Sequence, residues 1–291
     1  MNKIAFALAA AAALASTGAS AQKKADVVVL MDESGSMAGE QAWIPSTINS
    51  LNTGLINAGL IDGNRFGLVG YSASAAPAPS RVRSFDVGGS QFGTAAQFAT
   101  AAAGLQTTGG TEDGYAAIAG ANAYTFAAGA ARNYILVTDE DRDNTNAALT
   151  KASILASLTS TKTLLNAVVN ATFQCGDNSA ALGIIGSTGY KANGSGGFTT
   201  CTGATFVSGA GTTIADYVDL ALATGGGAWN LNILRAGGAG ADSFTAAFID
   251  GKVDEIVTQV PGIPEPETYA LMLAGLGAVG WAARRRKAAR A

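Results

Sequence analysis

Residues 26–39 read DVVVLMDESGSMAG. The apolar run from Val27 to Met31 is short and rich in β-branched residues, which predicts a strand. Being apolar on both faces, it belongs at the centre of a sheet that is covered on both sides. It ends abruptly in an acid, two serines two residues apart, and glycine. In open parallel sheets, ligands bind at the carboxyl ends of strands, where loops from distant parts of the chain converge. Asp32, Ser34 and Ser36 are therefore candidates for a site. The plain alternative is a Ser-Gly-Ser turn that caps the following helix.

Outward from this stretch the pattern alternates. RFGLVGYS (65–72), RNYILVTD (132–139) and LLNAVVNATF (164–173) read as further strands, and the second of these is also apolar on both faces. Helical patterns fall at 40–59, 93–105, 112–129 and 146–158. The segment 217–231 suggests a helix leading to a strand, and 242–260 a closing helix. Such alternation implies an α/β fold with a mainly parallel central sheet and helices on both faces. Residues 174–213 interrupt the rhythm with a Gly/Ser/Asn-rich stretch and are expected to form an insertion with short antiparallel strands, within one domain spanning 22–260.

Composition narrows the chemistry. At 291 residues and 48% hydrophobic content, the chain can bury a large core. It contains no histidine, which removes Ser-His-Asp and Cys-His catalysis and the commonest zinc ligand sets. Between residues 22 and 264, 12 basic residues face 19 acidic ones, a net charge near −7. An acidic surface of this kind lacks the basic footprint that nucleic-acid binding needs. The expectation is a protein that is not an enzyme.

Both ends read as addresses. MNKIAFALAAAAALASTGASAQ (1–22) has Lys3, a short apolar segment and Ala19-Ser20-Ala21, which predicts a secretory signal peptide of residues 1–21. Export places Cys175 and Cys201, the only two cysteines, in an oxidising compartment. They flank the irregular stretch and are expected to pair, with a bridge contributing about 3 kcal/mol on the chain-entropy argument. At the other end (261–291), Pro264-Glu265-Pro266 precedes an apolar segment at 269–283 and the cluster Arg284-Arg285-Arg286-Lys287. At about 1.5 Å per residue this segment is short for a membrane span. These three parts, in this order, resemble the PEP-CTERM sorting signal. The resemblance implies handling by exosortase, transient contact with the inner membrane, and delivery to the surface or extracellular matrix of a Gram-negative bacterium.

Two later loops add to the rim that begins at Asp32. Asp139 ends the strand YILVTD, and Thr111 follows Gly109-Gly110, where it is also placed to cap the next helix. The donors are all oxygens, a set that suits a hard cation. Asp32-x-Ser34-x-Ser36 with Thr111 and Asp139 resembles the metal-ion-dependent adhesion site of the von Willebrand factor type A domain, whose Rossmann-like fold the alternation matches. The resemblance implies Mg²⁺ (or Ca²⁺ or Mn²⁺), with Ser34 and Ser36 as direct ligands and Asp32 and Asp139 acting largely through water. Thr111 would bind directly or through water. An open coordination position would accept a carboxylate from a partner protein, for adhesion or assembly. A structural matrix protein in which the metal only stabilises the fold is the alternative.

The run DEDRDNT (139–145) also alternates acids like the start of a calcium loop. Asn144 stands where an EF-hand has glycine and Thr150 where the bidentate acid belongs, so it is not an EF-hand. A solvated acidic rim is the simpler reading. A second cation site drawing on Asp141 and Asp143 with Glu112 or Asp113 is the other.

Overall fold

The computed structural model describes residues 23–61 and 63–260. The leader, the Pro264-Glu265-Pro266 motif and the apolar segment 269–283 lie outside the described residues.

The first predicted strand is β1 (Ala25–Asp32), and all eight of its residues are buried. β2 (Arg65–Tyr71), β4 (Ala131–Thr138), β5 (Leu164–Val169) and β12 (Gly227–Asn230) join it in parallel, in the order β12-β5-β4-β1-β2. β3 (Arg83–Ser84) flanks β2 in the antiparallel sense. β1 sits between β2 and β4, so the chain leaves it toward one side and returns later on the other. This is the strand-order reversal at which a crevice opens above the carboxyl ends.

Helices cover both faces. On one lie α1 (Ala38–Asn57), α2 (Ala95–Ala102), the short α6 (Leu231–Ala236) and the closing α7 (Gly238–Gln259). On the other lie α3 (Gly114–Asn122), α4 (Lys151–Ser160) and α5 (Asp219–Thr224), the last entered through one π-helical turn at Ile214–Val218. Alternate side chains of β1 therefore meet apolar partners on both sides: Val28 and Leu30 join Tyr71, Tyr134, Leu136 and Tyr217 in one cluster, while Val27, Val29 and Met31 are equally buried on the other face. Each such side chain contributes about 1.5–3 kcal/mol by leaving water.

The insertion is more integrated than its composition suggests. The predicted strand at 164–173 breaks at Asn170 into β5 and β6 (Ala171–Gln174), and β6 pairs with β7 (Ala180–Ala181) and β11 (Thr205–Gly209) in a small separate sheet. β8 (Gly183–Ile185), β9 (Thr188–Ala192) and β10 (Phe198–Cys201) instead extend the main sheet beyond β12 in antiparallel fashion, bringing it to nine strands. Cys175 and Cys201 form the expected disulfide, which ties the start of the insertion to the edge strand β10.

Candidate metal centre

At the reversal between β1 and β4, three loops deliver carboxylates to one point. Oxygens of Asp32, Glu112 and Asp139 lie within 4.8 Å of one another, and all three residues are buried. Two serine hydroxyls adjoin the cluster: Ser34 Oγ is 3.1 Å from Ser36 Oγ, and Ser36 Oγ donates to Asp139 Oδ1 at 3.0 Å. Ser34 is buried and Ser36 is exposed, so the cluster opens to solvent on that side. Neither hydroxyl caps α1, whose first turn has no side-chain cap.

Local sequence explains the convergence. Asp32 Oδ1 accepts the Ser34 N–H at 2.7 Å, which folds the Ser-Gly-Ser turn back over the strand end, and Oδ2 accepts the Thr138 hydroxyl at 2.8 Å. Gly109 bridges to Ser34, and a Cβ at Gly109 would lie 2.0 Å from the Ser72 carbonyl oxygen. Only glycine lets the third loop come this close, and that approach brings Thr111 and Glu112 to the rim. Thr111 is half-buried immediately before Glu112. It does not cap α3. That role belongs to Asp113, whose Oδ1 accepts from Tyr115 N and Ala116 N.

Of the residues considered for a second cation site, only Glu112 lies at the carboxylate cluster. Its backbone is clamped by Asp143, which accepts the Glu112 N–H at 3.0 Å and donates its own N–H to the Glu112 carbonyl at 2.8 Å. Asp113 is buried under Arg142 and Thr145, and Asp141 accepts from Thr212. The run 139–145 thus acts largely as a set of loop fasteners. Glu33, inside the first motif, turns away from the rim: its carboxylate is paired with Arg83 and accepts the Gln106 N–H at 2.7 Å.

The electrostatics are lopsided. Burial, and then the neighbouring charge of Asp32, pushes the Glu112 carboxyl up to about 9. Burial raises Asp32 to about 6 against the opposing hydrogen bonds from Ser34 and Thr138. Glu112 Oε2 is buried with no hydrogen-bond partner among the described residues. A cation reaches the cluster from α6: the Arg235 guanidinium donates twice to Asp139 Oδ2 at 3.1 Å and once to Glu40 Oε1 at 2.5 Å. Sequence reading missed Arg235, because a lone basic residue in a short helix carries no pattern. A cavity of about 550 Å³, lined by Ser36, Gly39, Glu40, Trp43, Leu234 and Arg235, opens beside it. The donor set fits a hard divalent cation: every candidate atom is an oxygen, and Glu112 Oε2 has no hydrogen-bond donor among the described residues.

Residues 262–287 match the PEP-CTERM protein-sorting motif. No curated protein matches the chain. Among solved structures, the chain is similar to proximal thread matrix protein 1 from the mussel byssus, at 15% identity and a TM-score of 0.35, over 50% of this chain and 35% of that one. It is also similar to a von Willebrand factor type A protein from Catenulispora acidiphila, at 14% identity and a TM-score of 0.38, over 65% of this chain and 56% of that one. The chain spans about a third of the first structure's length and just over half of the second's. No helix among the described residues is long and apolar enough to cross a membrane. The motif at 262–287 implies an exported protein with exosortase as its sorting partner, and residues 23–260 fold as an α/β domain on a mainly parallel sheet.

Proposed function

We propose that this domain is a non-enzymatic binding module of the cell surface or extracellular matrix, whose rim holds a divalent cation and, through it, a carboxylate of a partner protein. The observation that carries this reading is the convergence of Asp32, Glu112 and Asp139 within 4.8 Å, with Ser34 and Ser36 beside them. Ser34 and Ser36 would be neutral ligands, Asp32 and Asp139 would act directly or through water, and Thr111 and Glu112 would complete the set. Mg²⁺, Ca²⁺ or Mn²⁺ bound there supplies an electrophilic position open to an outside oxygen. The cavity beside Ser36 gives a partner side chain room to approach, and Arg235 at its wall offers a bidentate partner to a second carboxylate. Catalysis has little support: the chain has no histidine, and Asp139, the carboxylate that Ser36 contacts, is engaged in an ion pair with Arg235.

The test is capture of surface material by the purified domain, with and without EDTA, alongside calorimetric titration with MgCl₂ and CaCl₂. The proposal expects metal binding that is lost in Asp139→Ala and in the Ser34→Ala/Ser36→Ala pair, with capture lost in parallel and circular dichroism unchanged. Metal binding that raises thermal stability while capture ignores EDTA would support the structural-matrix reading instead. Absence of metal binding by the folded wild type would overturn both.

A further inference from the structure

Beneath α7, far along the chain from the rim residues, lies a second buried polar group. The core-facing positions of α7 run Phe244, Phe248, Lys252 and Ile256 at a spacing of four, so a lysine stands where the pattern calls for an apolar residue. Lys252 is fully buried. Its Nζ contacts Asn133 Oδ1 on β4 and lies 3.1 Å from Glu255 Oε2. Glu255 Oε2 also accepts from Asn166 Nδ2 at 2.7 Å, and Asn166 Oδ1 in turn accepts the Trp229 indole N–H at 2.9 Å. Asn133 and Asn166 are fully buried, and Glu255 Oε1 has no hydrogen-bond partner among the described residues.

A primary amine, a carboxamide and a carboxyl group are thus held together out of water. We propose that Lys252 and Asn133 are a site of intramolecular isopeptide formation, which welds the closing helix α7 to the central strand β4. In a dry interior the charged ammonium is the costly form of a lysine. Burial lowers the Lys252 pKa in the same sense. Neutral Nζ is a nucleophile. Its contact with Oδ1 brings it beside Cγ and, by donating, polarises the carbonyl.

The step balances without any oxidant or cofactor. Nζ adds to Asn133 Cγ and forms the new C–N bond. Glu255 relays the proton shed by Nζ to Nδ2, the Cγ–Nδ2 bond breaks, and ammonia leaves. Glu255 is the catalytic residue, touching the reacting amine, and Asn166 is a positioning residue that holds Oε2. Asn133 Nδ2 donates to Gln259 Oε1, and Gln259 is only half-buried, so the leaving nitrogen already faces the outer edge of the network. A covalent tie of this kind suits a protein that must stay folded outside the cell.

The experiment is peptide mapping of the exported, disulfide-intact protein by tandem mass spectrometry. Intact mass alone does not decide, because cyclisation of an N-terminal glutamine also loses one ammonia. The expected result is a branched tryptic species in which NYILVTDEDR (133–142) is joined to a peptide left uncut at Lys252, one ammonia lighter than the two together. Lys252→Met and Glu255→Gln should abolish it completely. Recovery of 133–142 as a free linear peptide, together with cleavage after Lys252 in folded wild-type protein, would overturn the proposal whether or not the variants fold. A branch through Asn166 would overturn the assignment to Asn133.

Discussion

Two carboxylates in this protein, Glu112 at the rim and Glu255 beneath α7, each keep one oxygen buried with no hydrogen-bond partner among the described residues, in opposite surroundings. Glu112 sits among like charges, Asp32 and Asp139, and the Arg235 guanidinium beside them is committed to Asp139 and Glu40. Glu255 sits against an amine and an amide and forms a balanced set with Lys252, Asn133 and Asn166. An excess of negative oxygen on a rim that opens to solvent points to a cation from outside. A balanced set sealed under a helix points inward, to structure and to chemistry among its own members. The same orphaned atom type thus carries different meanings, and the neighbouring charges decide which.

The comparison makes a prediction of opposite signs, and the larger effect is under α7. Glu255→Gln removes the group that touches the reacting amine and leaves Lys252 a free buried amine without its carboxylate, so it should destabilise the domain by about 3 kcal/mol or more, the scale of removing one partner of a buried pair. Glu112→Gln removes one of three crowded carboxylates and should stabilise the metal-free protein by about 1 kcal/mol while blunting its response to divalent metal. Denaturant unfolding in EDTA measures both. If the two variants shift stability in the same direction, the contrast between the clusters is wrong.

Reduction of the disulfide should separate the two regions physically. Cys175–Cys201 anchors the insertion, and α7 packs against β9 and β10 on that side of the sheet. Loss of the bridge should cost about 3 kcal/mol. It should also open residues 174–213 to protease before the core, with metal affinity at the rim unchanged. Proteolysis under reducing and non-reducing conditions, paired with calorimetric titration, reads both outcomes. A rim that loses metal on reduction would mean that the regions are coupled.

Proton linkage sharpens the rim side further. Asp32 and Glu112 bind protons more tightly in the folded state than in the unfolded chain, the first raised to about 6 and the second to about 9. For raised carboxyls the stabilising contribution is fully present below the unfolded value near 4 and is lost as pH climbs through the folded values. In EDTA, thermal stability should therefore fall between pH about 5 and about 9, and saturating divalent metal should flatten that fall. Metal uptake should release protons, detectable as a buffer-dependent calorimetric enthalpy. A metal-free melting temperature that rises over this range would contradict the crowding of charge at the rim.

Much of the framework was legible in the sequence because burial on both faces leaves a plain signature: the predicted strands at 26–32 and 132–139 became β1 and β4 with a shift of one residue. Asp32, Ser34, Ser36 and Asp139 were legible because strand ends in a parallel sheet converge by topology. Glu112 was harder. Which of the adjacent residues Thr111 and Glu112 directs a carboxylate into the cluster depends on loop backbone, here the clamp by Asp143 and the close pass of Gly109. The extension of the sheet by β8, β9 and β10 was hidden by their glycines and by their dependence on pairing far along the chain. Lys252 and Glu255 did leave a mark, polar residues at core spacing after Phe244 and Phe248, which looks like an ordinary helical pattern until burial gives it meaning.

The smallest predicted change in stability concerns Arg235. Its side chain is 37% exposed, and its contacts with Glu40 and Asp139 are bridges in partial contact with solvent, so Arg235→Gln should lower stability by less than about 1 kcal/mol. Its effect on metal should run the other way. In the metal-free domain the guanidinium neutralises Asp139 Oδ2, and a bound divalent ion would have to share that carboxylate with a fixed positive charge. Removing that charge should strengthen divalent affinity by roughly tenfold at low salt, with the gain shrinking as ionic strength screens it. Calorimetric titration at two salt concentrations measures the effect. Weaker metal binding in Arg235→Gln would mean that the arginine holds Asp139 in position for the ion rather than competing with it, and α6 would then be a support of the rim.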